Sequence, residues 1–190
     1  MRRRYDDFAD WYDAYATRGV GLPFARAADR LLARLLGPGR GRLCLDLGCG
    51  VASAERLPLR DRSVDAATMI MTSTDFDDLP PVFAEAHRVL RPGGHLVVVG
   101  AHPCFGGVFV ERDSRGTCTV HPGYRHHQRV EQHPLLGDGI RSRVGVVNVP
   151  LPVLLNALTG AGLVLEKTAE DDGDQPVPEL LGLAAARPGH

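Results

Sequence analysis

The sequence predicts an α/β domain, a three-layer sandwich around a mostly parallel sheet with an antiparallel edge. Three observations predict it. Short apolar runs at residues 43–47, 64–71 and 95–100 read as buried strands. Segments with apolar residues at helical spacing, 24–36, 81–90 and 151–161, stand before, between and after them. Glycine and proline mark the junctions, as expected of crossover connections in a parallel sheet.

In chain order, residues 5–15 space Tyr5, Phe8, Trp11, Tyr12 and Tyr15 at helical intervals. The spacing predicts an amphipathic helix that packs its aromatics on the domain, or that serves as a lid over a bound ligand. Residues 19–23 break the pattern. A second helix over 24–36 presents Ala28, Leu31, Leu32, Leu35 and Leu36, and Gly37 and Pro38 end it. In the strand at 43–47, Leu43, Leu45 and Leu47 alternate with Cys44 and Asp46. It runs into the turn Gly48-Cys49-Gly50, whose glycines bring bare backbone close to a ligand. Open α/β sheets bind nucleotides beyond such strand ends.

Residues 51–62 are polar and contain Pro58, too broken for a long helix. A buried strand over 64–71 and a Thr-, Ser- and Asp-rich loop over 72–80 follow. The helix over 81–90 has proline in its first turn and Val82, Phe83, Ala86, Val89 and Leu90 facing inward. Residues 91–94 make a sharp stop before the strand at 95–100. From 101 to 150 hydrophobic periodicity weakens, and five of the eight histidines fall there: His102, His121, His126, His127 and His133. This reads as a long functional insertion on the substrate side, with a hairpin pairing 108–110 with 118–120. A helix over 151–161 and strands at 164–168 and 180–187, joined by a turn at 171–176, close the domain with an antiparallel pair.

The 190 residues suit one domain with a sizeable core, and 44% hydrophobic with 24% charged residues is ordinary for a globular protein. The net charge of −1 argues against a general binder of nucleic acid or anionic membrane. No apolar run approaches the roughly 20 residues of a membrane span. Cys44, Cys49, Cys104 and Cys118 form no Cys-x-x-Cys pair, which fits a reduced, cytoplasmic protein. No histidine spacing matches the helical pairs of zinc enzymes, so no metal is expected.

The segment Leu45-Asp46-Leu47-Gly48-Cys49-Gly50 resembles the first motif of the class I methyltransferases that use S-adenosylmethionine. The run Ala54-Glu55-Arg56-Leu57-Pro58-Leu59-Arg60-Asp61-Arg62-Ser63-Val64-Asp65 is similar to their segment leading into the fourth strand. Arg88-Val89-Leu90-Arg91-Pro92-Gly93-Gly94 is similar to the turn before their fifth. The three stand in the family's order. A weaker likeness, at Leu154-Leu155-Asn156-Ala157-Leu158 and Ala161-Gly162-Leu163, fits the helix before its last strand pair. The resemblance implies a Rossmann-like fold and S-adenosylmethionine as cofactor. It implies contacts from Asp46, Gly48, Cys49 and Gly50 to the amino-acid part, and Leu57 against adenine. Thr72 and Ser73, in the loop 72–75, would face the methyl donor. The chain departs from the pattern at Ala52, where the family usually has glycine. Gly50 and Leu57 are also only seven positions apart, where two further strand–helix units, on the order of 40 residues, would normally lie. The usual second and third strands are therefore missing, and with them the acidic residue that binds the ribose hydroxyls.

Two side chains are candidate catalytic groups. His102 directly follows the third strand, at the edge where active sites of this fold gather, and could act as a general base. His121 lies with Tyr124, His126 and His127 on the substrate side. Arg141 and Arg143 sit in a turn over 137–143 that could hold an anionic substrate group or simply be solvated. The first reading is methyl transfer from S-adenosylmethionine to a small-molecule substrate. The alternatives are a degenerate fold without cofactor, acting as a binding protein, or a cyclase or isomerase using His102 or His121. The exposed edge left by the missing strands predicts a homodimer through the first strand, or a helix folded over it.

Overall fold

The structure is a computed structural model that describes residues 6–19, 21–39, 41–49 and 53–189. Tyr5, Gly50 and Ala52 lie outside the described residues.

A short 3-10 turn at Asp6–Phe8 leads into α1 (Ala9–Arg18), and α2 (Leu22–Leu36) follows. The central elements are β1 (Cys44–Leu47), β2 (Val64–Ile70), α3 (Leu79–Val89) and β3 (Leu90–Ala101). The segment after β3 carries two hairpins. β4 (Val110–Arg112) pairs with β5 (Cys118–Val120), and β6 (Gln128–Val130) pairs with β7 (Val146–Asn148). A one-turn helix, α4 (Arg141–Val144), precedes β7. α5 (Leu151–Gly160), β8 (Val164–Glu170) and β9 (Leu180–Ala186) complete the fold.

The main sheet has the order β1-β2-β3-β9-β8. β1, β2 and β3 are parallel, and β9 runs antiparallel to both β3 and β8. The sheet is therefore mostly parallel with an antiparallel strand near one side, and among the described residues the family's usual second and third strands have no counterpart. β1 is the edge: among the described residues no strand pairs with its outer side.

Side-chain alternation splits the core into two layers. Leu96 and Val98 of β3, with Leu183 and Ala185 of β9, pack on α3 and α5. Val97, Val99 and Ala184 point the other way, onto Ala27, Ala28 and Leu31 of α2. That period of two is what a strand buried on both faces requires. α2 comes close to β9 because Gly182 has no side chain: a Cβ there would lie 2.5 Å from Leu35 Cδ1.

Four details differ from the sequence reading. β3 begins at Leu90, not 95, because Leu90 pairs with Val64 and Gly93 and Gly94 bond Arg187 across the strand. The first hairpin uses 110–112, because Val108 and Phe109 are buried in a small cluster with Val130 and Val146. The β6–β7 hairpin was not anticipated, since three-residue strands are too short to show a period. No residue of α1 is buried. Its aromatics pack on one another and on α4: Trp11 and Tyr15 stack at 5.1 Å, and the Arg143 guanidinium lies 4.6 Å from the Trp11 ring centroid.

Candidate active site

Parallel strands place their carboxyl ends on one side of the sheet, and β1, β2 and β3 end there at Leu47, Ile70 and Ala101. Leu47 anchors the first tip at 1% exposure. Gly48 follows with φ +102, and a Cβ at this position would meet Thr72 Cγ2 at 2.6 Å. Both the backbone angle and the close approach demand glycine. The Thr72 hydroxyl donates to the Leu47 carbonyl at 3.2 Å, tying the tips of β1 and β2 together. Gly48 and Cys49 are exposed beyond this joint.

Asp46 lies on the edge strand. Partial burial holds its carboxyl above the usual carboxylate range, and a 3.3 Å hydrogen bond from the Thr68 hydroxyl pulls the other way. Leu57 stands on irregular chain that is nonetheless pinned. Its N–H donates to Glu85 Oε1 at 2.6 Å. Arg88 grips Glu85 at 2.7 and 2.8 Å and also donates to the Leu59 carbonyl at 2.9 Å and to Asp61 at 2.5 Å. The Arg88 guanidinium and the Leu57 N–H keep Glu85 below the usual range against its own burial.

A cavity of about 140 Å³ lies over the ends of β2 and β3. Ser73, Thr74 and Ala101 line it from the strand ends, and Val147, Asn148 and Val149 line it from the β7 side. Met71, just before this loop, has φ +59, an uncommon conformation for a side-chain-bearing residue. Its carbonyl accepts from Arg141 Nη2 at 3.1 Å, and Arg141 Nη1 bonds Asp75 at 2.5 Å. Arg141 thus staples the insertion to the loop after β2.

The two candidate bases sit elsewhere, and neither lines the cavity. His102 is 5% exposed. Its Nδ1 accepts from the Cys104 N–H at 3.1 Å, so its proton resides on Nε2, 3.2 Å from Glu170 Oε1. Burial lowers its pKa below the ordinary value, and Glu170 acts in the opposite direction. His121 faces Glu111 at 3.1 Å on the β4–β5 hairpin. The structure therefore brings Gly48, Thr72 and Ser73 together, while His102 is paired with Glu170 and His121 with Glu111. Gly50 lies outside the described residues. Asn148 and Arg141 are the residues that sequence reasoning undervalued. A lone asparagine inside Val-Gly-Val-Val-Asn-Val was the available signal for the first.

The group implied by the resemblance, S-adenosylmethionine, can be tested against these residues. The turn at Gly48 fits its amino-acid end: it is exposed, carries no side chain at 48, and has the Thr72 hydroxyl beside it. At the ribose end β1 is the edge, so among the described residues no neighbouring strand brings an acidic residue.

The family model of the methyltransferase domain matches residues 28–98. A ubiquinone/menaquinone biosynthesis C-methyltransferase of Acidiphilium cryptum is 46% identical over 50 residues, which is 26% of this chain and 20% of that protein. The matched stretch thus spans only a fifth of that curated relative's length. An S-adenosylmethionine-dependent methyltransferase of Mesorhizobium loti superposes with a TM-score of 0.68 at 21% identity, over 85% of this chain and 98% of its own. The cyclase SpnF shares the fold at a TM-score of 0.63 and 16% identity, over 98% of this chain and 94% of its own. The matching family model and the Mesorhizobium loti neighbour are those of S-adenosylmethionine-dependent methyltransferases, as the resemblance in the motifs implies.

Proposed function

We propose that the chain transfers a methyl group from S-adenosylmethionine to a small-molecule acceptor held in the cavity over β2 and β3. One observation carries this reading. Thr72 packs on the Gly48 turn, and its neighbour Ser73 lines the cavity. A cofactor at the turn and an acceptor in the cavity would therefore be adjacent. The methyltransferase-domain match over residues 28–98 and the C-methyltransferase relative support it.

When bound, S-adenosylmethionine supplies a methyl group already activated on a sulfonium. The chain's task is then to bind, orient and exclude water, the contributions that positioning makes to rate. Asp46 and the backbone at Gly48, Cys49 and Gly50 would hold the amino-acid end. Leu57, fixed by Glu85, would lie against the adenine. Thr72 and Ser73 would stand between the two ligands. The proposal assigns proton transfer to neither His102 nor His121, because neither reaches the cavity.

Two further parts of the proposal concern setting. The cysteines at 44, 49, 104 and 118 are free, as in a reduced, cytoplasmic compartment. The open β1 edge, with Leu43 56% exposed, supports a homodimer paired along it. Calorimetry with S-adenosylmethionine and its demethylated product tests the central claim. Micromolar binding is expected, and no heat at millimolar ligand would overturn it.

A further inference from the structure

Asn148 is 4% exposed, and its carboxamide nitrogen is fully engaged. It donates to the carbonyls of His126 at 2.8 Å and Tyr124 at 2.9 Å, with Gly123 at 3.5 Å. Two hydrogens are all it has. This fixes the orientation of the amide and leaves Oδ1 as the free end. Among the described residues no donor reaches Oδ1. No fully enclosed side-chain polar atom lacks a partner either, so Oδ1 retains open surface, and the cavity is what Asn148 lines. Gly107, which also lines it, places only a bare Cα on that side: a Cβ there would come 3.9 Å from Oδ1.

Ser73 repeats the pattern. It is 6% exposed, lines the same cavity, and its Oγ makes no hydrogen bond among the described residues. Val108, Val147, Val149 and Leu154 make the surrounding wall apolar. The one charged lining residue, Arg141, has its guanidinium engaged by Asp75 and the Met71 carbonyl, so the cavity offers no spare charge. Its volume of about 140 Å³ is close to that of an engineered apolar cavity of about 150 Å³ that binds benzene.

We propose that this cavity binds a small neutral ring bearing one hydroxyl or amine, whose N–H or O–H donates to Asn148 Oδ1. Oδ1 can only accept, so it selects for a donor. Ser73 Oγ, which can donate or accept, meets the same polar end of the ring. A buried acceptor left without a donor is costly, and the site discriminates against ring compounds that lack one. The assignment of this ring as the methyl acceptor rests on the methyl-transfer reading; its binding does not.

The test uses the full chain without cofactor and compares phenol, anisole, toluene and benzoate by ligand-observed NMR. Phenol is expected to bind about tenfold more tightly than anisole or toluene, the size of one net hydrogen bond, and benzoate more weakly still. Nuclear Overhauser contacts should run from the phenol ring to the methyls of Val147 and Val149. Ala101→Leu, which enlarges a lining residue, should weaken binding. Toluene binding as tightly as phenol would overturn the proposal. So would contacts to methyls elsewhere, or no phenol binding at 10-millimolar order. The ligand series needs no variant, so a folding defect in A101L leaves it decisive. Because no cofactor is present, a failure of methyl transfer and a failure of ring binding read out separately.

Discussion

At Gly48 the turn admits no side chain, both because φ is +102 and because Thr72 fills the space where a Cβ would stand. Gly48→Ala should therefore destabilise the fold by about 1–3 kcal/mol, read as a lower denaturation midpoint. Part of that loss belongs to the Thr72 side chain. Thr72→Ala removes the two atoms nearest the added Cβ, Cγ2 at 2.6 Å and Oγ1 at 2.7 Å, so the double variant should lose less than the sum of the singles. Equal, additive losses would show that Thr72 does not set the limit. At His102 the sign of the pH dependence follows from burial. Its folded pKa lies below the unfolded value of about 6.5. Between those values the unfolded chain binds more protons, so stability rises with pH and is lost on acidification below about 6.5. His102→Gln keeps an N–H for Glu170 and does not titrate. Melting between acidic and neutral pH should show a shallower slope in this variant. Some slope should remain, because burial followed by Arg187 also lowers His87. The glycine at 48 was legible in the sequence because it reports a backbone need. The buried His102 was not, because a histidine after a strand looks the same whether it faces a cavity or a carboxylate.

The segment between β1 and β2 is held as an element although it has no regular structure. Glu85 and Arg88 of α3 supply its partners at Leu57, Leu59 and Asp61. Glu85 is 12% exposed at its side chain, so its loss would strand both the Leu57 N–H and Arg88. Glu85→Ala should cost roughly 1.5–3 kcal/mol and should raise hydrogen exchange at residues 57–61 more than in the sheet. Uniform exchange across the chain would refute the pinning. None of this grip could be read from spacing alone, since the partners lie 27 to 31 positions apart. The helices and main strands were legible because their periods run for several residues. The β6–β7 pair was not, because Gln-Arg-Val and Val-Val-Asn span less than one informative window.

On the scale of the molecule, the shortened sheet ends at β1. Pairing along that edge predicts a dimer in sedimentation at about 50 μM, with Leu43→Glu shifting it to monomer by placing charge on the edge. A monomeric wild-type chain at that concentration would refute the pairing. The mostly parallel sheet and its missing strands were legible from the three motifs and the short gap between Gly50 and Leu57, whereas the place of β9 between β3 and β8 was not. The sites of stapling across the insertion were not, because Arg141–Asp75 and Asn148 with its three carbonyls arise only when distant loops meet.

β9 follows β8 in the chain, yet it sits between β3 and β8. Until residues 180–186 leave the ribosome, the flanks of both neighbours stay open, and the sheet remains in two unjoined pieces. A nascent chain stalled before Leu180 should thus be recognised by chaperones and proteases as unfinished, however complete its glycine turn and cavity walls already are.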